Sequence, residues 1–451
     1  MPRTTFKNLG NTCYLNATLK SMLASMGPSF VSELEAQAKR PPFNSEPRGS
    51  HPLESIRQNL INLASAVNDP AQQEAVDRRL ERFVRQINDR SLLPVADQAE
   101  GDLKKLAKNI DKTEIPLTKA VTDLELATVA LKLVKQGGSP TEVLKSLSGE
   151  SASARGYMTA QKLEEFIKER KASVERRTAR HKANLENLDR EAKRAGYTSA
   201  HEQRQILTTL SAAGKFVGKK GTQQDATEFG SWLRDMMQLA PSTERFSFGK
   251  QFTNIWGETR NGPTSRTWVL PLTPKDGSES LQTLMDAERA PSSIDSNPDG
   301  GKATEAVVLN ANLGALKRFT VSIDGRNAVG NRVKLTSVDF DEIVNVPMVD
   351  ERDGTTKMVR LRPQEIVFHE GDDKQGHYYA YVRRGDSWFQ HDDSKPVAAS
   401  ALPSLETAAQ PRTITFEVVS ADTMAQPSGL QPPPVPSASG SQARTDAAMK
   451  Q

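Results

Sequence analysis

Two short segments of the chain place apolar residues at helical spacing. Residues 11–26 predict a helix, because one face of that helix would be apolar. The residues on this face are Leu15, Leu19, Met22, Leu23 and Met26. Residues 223–238 predict a second amphipathic helix in the same way. Its apolar positions are Ala226, Phe229, Leu233, Met236 and Met237.

The chain between these two helices, from Pro28 to about Gly221, is polar and poor in aromatic residues, which indicates a long helical region. Within it, residues 159–195 are densely charged and carry few apolar side chains. This pattern predicts a solvent-exposed helix or helical hairpin that projects from the body. Such a helix is either a plain surface element or a dedicated partner-binding arm, and the sequence leaves both readings open.

Strand and turn patterns replace the helical ones after Pro241. Short runs rich in β-branched and aromatic residues mark the strands. The predicted strands are Thr267–Leu270, Val307–Leu309, Phe319–Ile323, Val333–Thr336, Glu365–His369, Tyr378–Arg383 and Ser387–His391. The run Arg384-Gly385-Asp386 predicts a hairpin turn between the last two.

These patterns divide the chain into three parts and indicate the α+β class. Residues 1–240 form a helical part that contains a charged helical insertion at about 28–220. Residues 241–419 form a strand-rich part. Residues 420–451 are rich in Pro, Ser, Ala and Gln, and a segment of that composition buries too little apolar surface to become ordered.

Bulk composition argues against several classes of function. Lys and Arg total 60 against 56 Asp and Glu, so we expect no nucleic-acid partner. No apolar run approaches the roughly 20 residues that span a bilayer, so we expect no membrane association. One cysteine in the whole chain agrees with a reducing, cytoplasmic location. We also expect a monomer without a cofactor or a metal ion, since metal-binding histidine motifs are missing.

The single cysteine, Cys13, lies at the start of the first predicted helix, where Asn11 and Thr12 are both suitable N-caps. The unpaired N–H groups and the positive dipole end of a helix N-terminus favour a thiolate there. One thiol cannot form an intramolecular disulfide or a multi-cysteine zinc site. Cys13 is therefore either a nucleophile or a buried structural cysteine.

His377 is the candidate base for such a nucleophile, with His369 and His391 as rivals. It begins a predicted strand and follows Gly376, which would let a substrate backbone pass close to the imidazole. If the last two strands pair as a hairpin, the end of the second returns to the start of the first. Asp392 or Asp393 would then lie near His377, where a carboxylate can orient the ring.

Three other polar side chains are candidates for substrate contacts. Asn8, five residues before Cys13, is either a donor to an oxyanion or a residue that stabilises a turn. Asp225 and Glu228 are three residues apart on the second predicted helix and share an exposed face. Two carboxylates placed in this way suit a cationic extended peptide.

Three sequence boxes together resemble those of the ubiquitin-specific proteases, a family of papain-like deubiquitinases. The first is the run from Lys7 to Ala17, and the second is Gln223-Gln224-Asp225-Ala226-Thr227-Glu228-Phe229. The third is Gly376-His377-Tyr378-Tyr379-Ala380-Tyr381-Val382, followed by Trp388 and Asp392-Asp393-Ser394-Lys395. They occur in the family's order over residues 8 to about 397, and Leu316-Lys317-Arg318-Phe319 is a weaker match.

The resemblance implies a papain-like α+β fold with a helical thumb and a palm and fingers of antiparallel β-strands. It implies a thiol-dependent deubiquitinase, which hydrolyses isopeptide or peptide bonds after the C-terminal glycine of ubiquitin. The catalytic residues would be Cys13 as nucleophile, His377 as base, Asp392 as third triad member and Asn8 as oxyanion donor. The substrate-binding residues would be Gln223, Asp225, Glu228, Gly376, Tyr378 and Asp393.

The chain departs from the family pattern at several places. It lacks the four zinc-binding cysteines that the family's fingers often carry, because Cys13 is the only cysteine. His391 stands where the family usually has an aromatic residue, and residues 306–316 fit the family's strand poorly. These departures suggest a divergent member, for which delivery into a host cytosol by a bacterium is one hypothesis. The alternative functions are a non-catalytic ubiquitin-binding module and a protease for another ubiquitin-like modifier.

Overall fold

The computed structural model of the protein describes most of the helical and strand-rich parts of the chain. The described residues are 5–9, 12–23, 52–67, 69–89, 92–139, 159–195, 197, 199–216, 225–237, 246–253, 259–293, 304–326, 333–336, 338–371, 376–405 and 409–423. The tail predicted from residue 420 therefore falls mostly outside the described residues.

The described helices are numbered here in chain order. They are α1 at residues 13–23, α2 at Pro52–Ala66, α3 at Gln73–Ile87, α4 at Leu92–Lys135, α5 at Ala160–Arg194, α6 at Ala200–Phe216, α7 at Ala226–Met237 and α8 at Leu281–Arg289. Thr159 Oγ1 accepts a hydrogen bond from Lys162 N at 3.4 Å and so caps α5. Such caps satisfy N–H groups that have no partner within the helix.

Helices α4 and α5 form a long antiparallel hairpin. The Lys135 ammonium lies 2.8 Å from the Glu164 carboxylate, and Asn184 Nδ2 donates to Asn109 O at 2.9 Å farther along the pair. An apolar cluster is buried between the two helices. Its members are Ala127, Ala130, Leu163, Phe166 and Ile167. The charged helix predicted at residues 159–195 is therefore present as one arm of a hairpin.

The strands are also numbered in chain order. They are β1 at Phe246–Thr253, β2 at Thr259–Thr267, β3 at Val269–Leu272, β4 at Ser292–Ser293, β5 at Thr304–Ala311, β6 at Arg318–Ile323, β7 at Val344–Asp350, β8 at Thr356–Gly371, β9 at Gly376–Arg384, β10 at Ser387–His391, β11 at Ala398–Ala399 and β12 at Ala409–Thr423. None of the described helices combines the length and apolarity needed to cross a bilayer.

The strands form one mixed sheet with the main order β11-β10-β9-β8-β7-β5-β1-β2, while β12 pairs with β6 and β8. Most neighbours are antiparallel, but β3–β6 and β5–β7 are parallel. The long strand β8 organises the sheet, because it pairs with β7 at one end, with β9 at the other and with β12 along its length.

Strand β9 lies between two apolar cores. Tyr378 and Ala380 belong to the core that also contains α1, α2, α3 and α7. Tyr379 and Tyr381 belong to the core within the sheet. This alternation follows from the two-residue period of a strand, and it leaves β9 buried on both faces. Because β9 packs against this helical core, His377 on β9 lies next to the helical part that carries Cys13.

Not every predicted strand is present. The predictions for Phe319–Ile323, Tyr378–Arg383 and Ser387–His391 are confirmed by β6, β9 and β10. The prediction for Val333–Thr336 is wrong, because this segment has no strand partner. Leu335 N donates to Gln410 Oε1 at 2.8 Å, and Thr336 N donates to Gly277 O at 2.8 Å. A side chain and a loop therefore satisfy the backbone of this segment.

Phe368 tests the packing of the sheet core. Its side chain is fully buried, and its ring centroid lies 5.8 Å from that of Tyr379 and 5.9 Å from that of Phe340. Because Phe368→Ala leaves a cavity among these rings, we expect the free energy of unfolding to fall by about 3–5 kcal/mol. Urea unfolding followed by tryptophan fluorescence measures this change.

Val419→Ala is the matched control in the neighbouring strand, because this side chain is 46% exposed. We expect this variant to unfold within about 0.5 kcal/mol of the wild type. Equal losses in the two variants would contradict the assignment of Phe368 to a packed core.

Candidate active site

Cys13 is the first residue of α1 and is 4% exposed. Thr12 O accepts from Asn16 N at 2.9 Å, which is the first hydrogen bond of the helix. The N–H of Cys13 is therefore among the helix-terminal groups that have no partner within the helix. Such a position favours negative charge on the sulfur, as the sequence predicts. Asn11, the other suitable N-cap, lies outside the described residues.

His377 is the second residue of β9, and its side chain is half-buried. Its Nε2 lies 2.7 Å from Asp392 Oδ1. Hydrogen bonds to Asp392 and then to Cys13 raise the pKa of His377 to about 10. The structure thus joins His377 to Asp392 by a hydrogen bond and places the same imidazole where it interacts with Cys13.

The β9–β10 hairpin is what places Asp392 beside His377. Its register pairs His391 with Ala380, so the residue after β10 returns to the beginning of β9. Burial opposes ionisation of Asp392, but the hydrogen bonds from His377 and from Lys395, whose Nζ lies 2.6 Å from Oδ2, outweigh it. The pKa of Asp392 is lowered as a result, and its carboxylate can hold an imidazolium.

Asp393 connects the hairpin to the N-terminal segment that carries Cys13. Its carboxylate accepts from Asn8 Nδ2 at 2.8 Å and from Asn16 Nδ2 at 2.7 Å. Its main-chain oxygen accepts from Phe6 N at 3.1 Å and from Lys20 Nζ at 3.2 Å. The residue has a φ of 42°, a left-handed conformation that is unusual for a side chain other than glycine. Tertiary hydrogen bonds hold it in this conformation.

Asn8 lies at this junction, five residues before Cys13. Its Oδ1 accepts from Thr12 N at 3.3 Å while its Nδ2 donates to Asp393. An amide nitrogen carries two hydrogens, and the bond to Asp393 uses one of them. Asn8 stabilises a turn and also lies close to the nucleophile. The structure therefore agrees with both roles that the sequence left open, that of an oxyanion donor and that of a turn residue.

Helix α7 brings the predicted acidic pair to the same region. Asp225 Oδ1 accepts from Glu228 N at 2.8 Å and caps the helix, and both side chains are exposed. Burial, and then the charge of Asp225, raises the pKa of Tyr378. Gln223 lies outside the described residues.

Close packing of α7 on α1 fixes the distance between the acidic pair and Cys13. The Tyr14 and Phe229 rings meet edge to face at 5.3 Å between centroids, and Thr18 Oγ1 donates to Ala226 O at 3.3 Å. A Cβ at Gly230 would lie 3.2 Å from the Thr18 methyl group. Glycine at this position therefore allows the two helices to approach closely.

Gly376 is constrained by packing within the sheet. A Cβ added to it would lie 2.4 Å from both Glu370 O and His369 Nε2. Only glycine fits between β8 and β9 at this point, immediately before His377. Its predicted contact with a substrate backbone remains a prediction, as does that of Asp393, whose carboxylate is bound to Asn8 and Asn16.

The two rival histidines are buried elsewhere in the same region. The His369 ring lies 4.5 Å from that of Tyr378. His391 is 1% exposed, and neither of its ring nitrogens has a hydrogen-bond partner among the described residues. Burial, followed by the charge of Lys20, lowers the pKa of His391 to about 3. Of the three, His377 is the one joined to both a carboxylate and the thiol.

The sequence patterns assign no role to Asn16, Lys20 and Lys395. All three side chains donate hydrogen bonds to the Asp392–Asp393 turn. A signal was available for two of them. Asn16 and Lys20 are four residues apart on α1 and so share a face. A lysine between apolar neighbours of a buried helix needs a partner, although the sequence does not say which.

The site has ligand types that a metal ion could use. His377, Asp392 and Asp393 each offer one such atom, all within 4.8 Å of one another. The Asp392 oxygens accept from His377 and Lys395, and the Asp393 oxygens accept from Asn16 and Asn8. Each oxygen of these two carboxylates therefore already accepts a hydrogen bond from the protein.

Comparisons with known proteins give a fold but no sequence family. No family model matches the chain, and no curated protein matches it. Among solved structures, the SAGA Ubp8/Sgf11/Sus1/Sgf73 DUB module bound to ubiquitin aldehyde matches with a TM-score of 0.50 and 12% identity, over 94% of this chain and 71% of that chain. The module bound to monoubiquitin matches with a TM-score of 0.48 and 11% identity, over the same shares of the two chains.

At 12% identity the first of these matches shows similarity of fold alone. The chain therefore has a mixed helix-and-sheet fold similar to that seen in the Ubp8-containing DUB module. This agrees with the α+β class and the fold type expected from the three sequence boxes. The papain-like detail of that expectation remains a prediction.

Replacing Asp392 by Asn tests the origin of the His377 charge. The variant removes the carboxylate that contributes most to the raised pKa of His377. We therefore expect the pKa of His377 to fall from about 10 towards the ordinary histidine value of about 6.5. Titration of the imidazole nitrogens by NMR measures it.

The control for this titration is Asp386→Asn, which removes an exposed carboxylate from the turn of the same hairpin. The pKa of His377 should stay at its wild-type value in this variant. An unchanged pKa of His377 in Asp392→Asn would show that the hydrogen bond to Asp392 is not what raises this pKa.

Proposed function

We propose that the protein is a thiol-dependent deubiquitinase, which hydrolyses isopeptide or peptide bonds after the C-terminal glycine of ubiquitin. The observation that carries the proposal is that His377, which is hydrogen-bonded to Asp392, also interacts with Cys13. The raised pKa of His377 supports it, because an imidazolium beside the sulfur stabilises a thiolate. The fold similarity to a deubiquitinating module gives independent support.

The first half of the reaction is acyl transfer to Cys13. The Cys13 thiolate attacks the carbonyl carbon of the ubiquitin C-terminal glycine, and the His377 imidazolium gives its proton to the leaving lysine amine as the C–N bond breaks. The product is a thioester between Cys13 and ubiquitin. Asp392 keeps the imidazole oriented and stabilises its charged form.

The second half of the reaction is hydrolysis of the thioester. Neutral His377 accepts a proton from a water molecule, whose oxygen attacks the thioester carbonyl. The C–S bond breaks, ubiquitin leaves as a carboxylic acid that loses its proton to solvent, and the thiolate–imidazolium pair is restored. In both halves, the N–H of Cys13 and the amide of Asn8 are the proposed donors to the tetrahedral oxyanion.

Substrate recognition is assigned to the side of the site formed by α7. Asp225 and Glu228 are exposed carboxylates on one helix, and the charge of Asp225 acts on Tyr378, so the pair suits a basic extended peptide such as the tail of ubiquitin. Gln223, Gly376, Tyr378 and Asp393 complete the proposed contacts. Charge alone favours ubiquitin over modifiers with a neutral tail.

A ubiquitin molecule with an electrophile at its C-terminus tests the proposal directly. We expect the wild-type protein to form one covalent adduct, which intact-mass spectrometry would detect as a gain of one ubiquitin. Cys13→Ala should form none, because Cys13 is the only thiol in the chain. A folded wild-type protein that forms no adduct would overturn the proposal.

The acidic pair can be tested without disturbing α7. In the double variant Asp225→Asn and Glu228→Gln, asparagine keeps the N-cap because it caps helices as well as aspartate. We expect kcat/KM for a fluorogenic ubiquitin substrate to fall about 10- to 100-fold, the loss expected for charge-assisted hydrogen bonds worth about 1.5–3 kcal/mol.

Glu186→Gln, at an exposed position on α5, is the control and should retain the wild-type kcat/KM. A panel of ubiquitin-like modifiers tests selectivity in the same assay. If the double variant loses nothing on ubiquitin, the carboxylates do not hold the tail and the preference for ubiquitin loses its support.

A further inference from the structure

Helix α1 carries a buried lysine beneath the candidate active site. Lys20 is fully buried, and its ammonium lies 5.2 Å from the centroid of the Phe6 ring. Its Nζ donates to the main-chain oxygen of Asp393 at 3.2 Å. Burying an ammonium is costly unless it gains compensating interactions. A neutral residue would fill this position at lower cost if packing were its only role.

The hydrogen bond of Lys20 leads to the turn that positions His377. Cys13, Asn16 and Lys20 are three or four residues apart along α1, so they follow one face of the helix. Asn16 holds the Asp393 carboxylate while Lys20 holds the carbonyl of the same residue. The preceding residue, Asp392, is bound to His377. The position of the turn relative to α1 therefore sets the position of the imidazole relative to the sulfur.

We propose that Lys20, as an ammonium, is a positioning residue for the thiol chemistry. Its hydrogen bond to Asp393 connects the Asp392–Asp393 turn to the helix that carries Cys13, and this connection keeps His377 close to the sulfur. This inference rests on the proposed function for its kinetic consequences, but its structural part concerns the free protein alone.

Protonation of Lys20 adds a pH dependence to this role. Burial lowers the pKa of Lys20 to about 8, and the charges of Asp393 and Asp392 oppose the shift. Neighbouring His391 interacts with Lys20 and is neutral, since its own pKa is lowered to about 3. The charge of Arg384 also acts on His391. The groups that stabilise the ammonium are thus the two carboxylates of the turn.

Loss of the Lys20 proton would weaken the bond to Asp393, because a charged donor makes a stronger hydrogen bond than a neutral amine. This change would occur below the pH at which His377 loses its proton, since the pKa of His377 is about 10. The sign of the effect is therefore a loss of activity as the pH rises through about 8, with His377 still charged.

The test compares the wild type with Lys20→Gln and Lys20→Met. The measurements are kcat and KM for a fluorogenic ubiquitin substrate between pH 6 and 10, together with the pKa of His377 by NMR. Gln can donate to the Asp393 carbonyl but does not titrate, whereas Met has a similar length and cannot donate. Lys104→Met, at an exposed position on α4, is the matched control.

We expect kcat of the wild type to fall about tenfold with a midpoint near pH 8, as a change of about 1.4 kcal/mol in positioning would give. In Lys20→Gln this alkaline fall should disappear with KM unchanged. In Lys20→Met, kcat should be low at every pH, and the pKa of His377 should fall because its bond to Asp392 loosens. Lys104→Met should match the wild type.

The outcomes separate this inference from the proposed function. An active wild type with the same pH profile in Lys20→Gln would overturn the role of Lys20 and leave the deubiquitinase proposal standing. An inactive wild type in which Lys20→Met still lowers the pKa of His377 would overturn the proposed function and support the positioning role. If Lys20→Met does not fold, the comparison of Lys20→Gln with the wild type decides.

Discussion

The structure depends on the hydrogen bonds that converge on Asp393. Donors from Phe6, Asn8, Asn16 and Lys20 all reach this one residue, and all of them come from the N-terminal segment around Cys13. Asp393 itself belongs to a turn that lies far from this segment in sequence. The two halves of the candidate site come from distant parts of the sequence, so their alignment needs a specific contact. Several polar bonds to one residue meet that need better than apolar packing, which tolerates sliding.

The charges around this turn form an alternating arrangement. Asp392 lies between His377 and Lys395, and Lys20 lies beside Asp393. A buried charge needs a partner of opposite charge. If one member of the pair is removed, the other stays buried without compensation for its lost hydration. The same arrangement holds His377 as an imidazolium, because the Asp392 carboxylate is its strongest influence. The charges that stabilise the junction are therefore the same charges that keep His377 protonated.

Local patterns predicted those parts of the fold whose partners are close in sequence. The helical spacing around Phe229 and the short turn at Gly385 were sufficient to place α7 and the β9–β10 hairpin. That hairpin in turn placed Asp392 beside His377. The meeting of Cys13 with His377 was not readable from spacing and came from the resemblance of the sequence boxes.

The failures also have physical reasons. The alternating residues of Val333–Thr336 look like a strand, but Gln410 and a loop satisfy their backbone. Strand β12 was missed because Pro411 and several register shifts interrupt its pattern. The role of Lys20 depends on a carbonyl more than 370 positions away, and nothing near it in sequence identifies that partner.

A double-mutant cycle between Asn16 and Asp393 tests this account most directly, with the rate of iodoacetamide reaction at Cys13 as the readout. Cys13 is the only cysteine, so the rate reports on this thiol alone. If the junction holds the imidazolium against the sulfur, Asn16→Ala and Asp393→Ala should each slow the reaction at neutral pH. Because Asn16 reaches the turn through the Asp393 carboxylate, the double variant should be no slower than the slower single variant. Single variants that react at the wild-type rate, or effects that multiply in the double variant, would contradict the account.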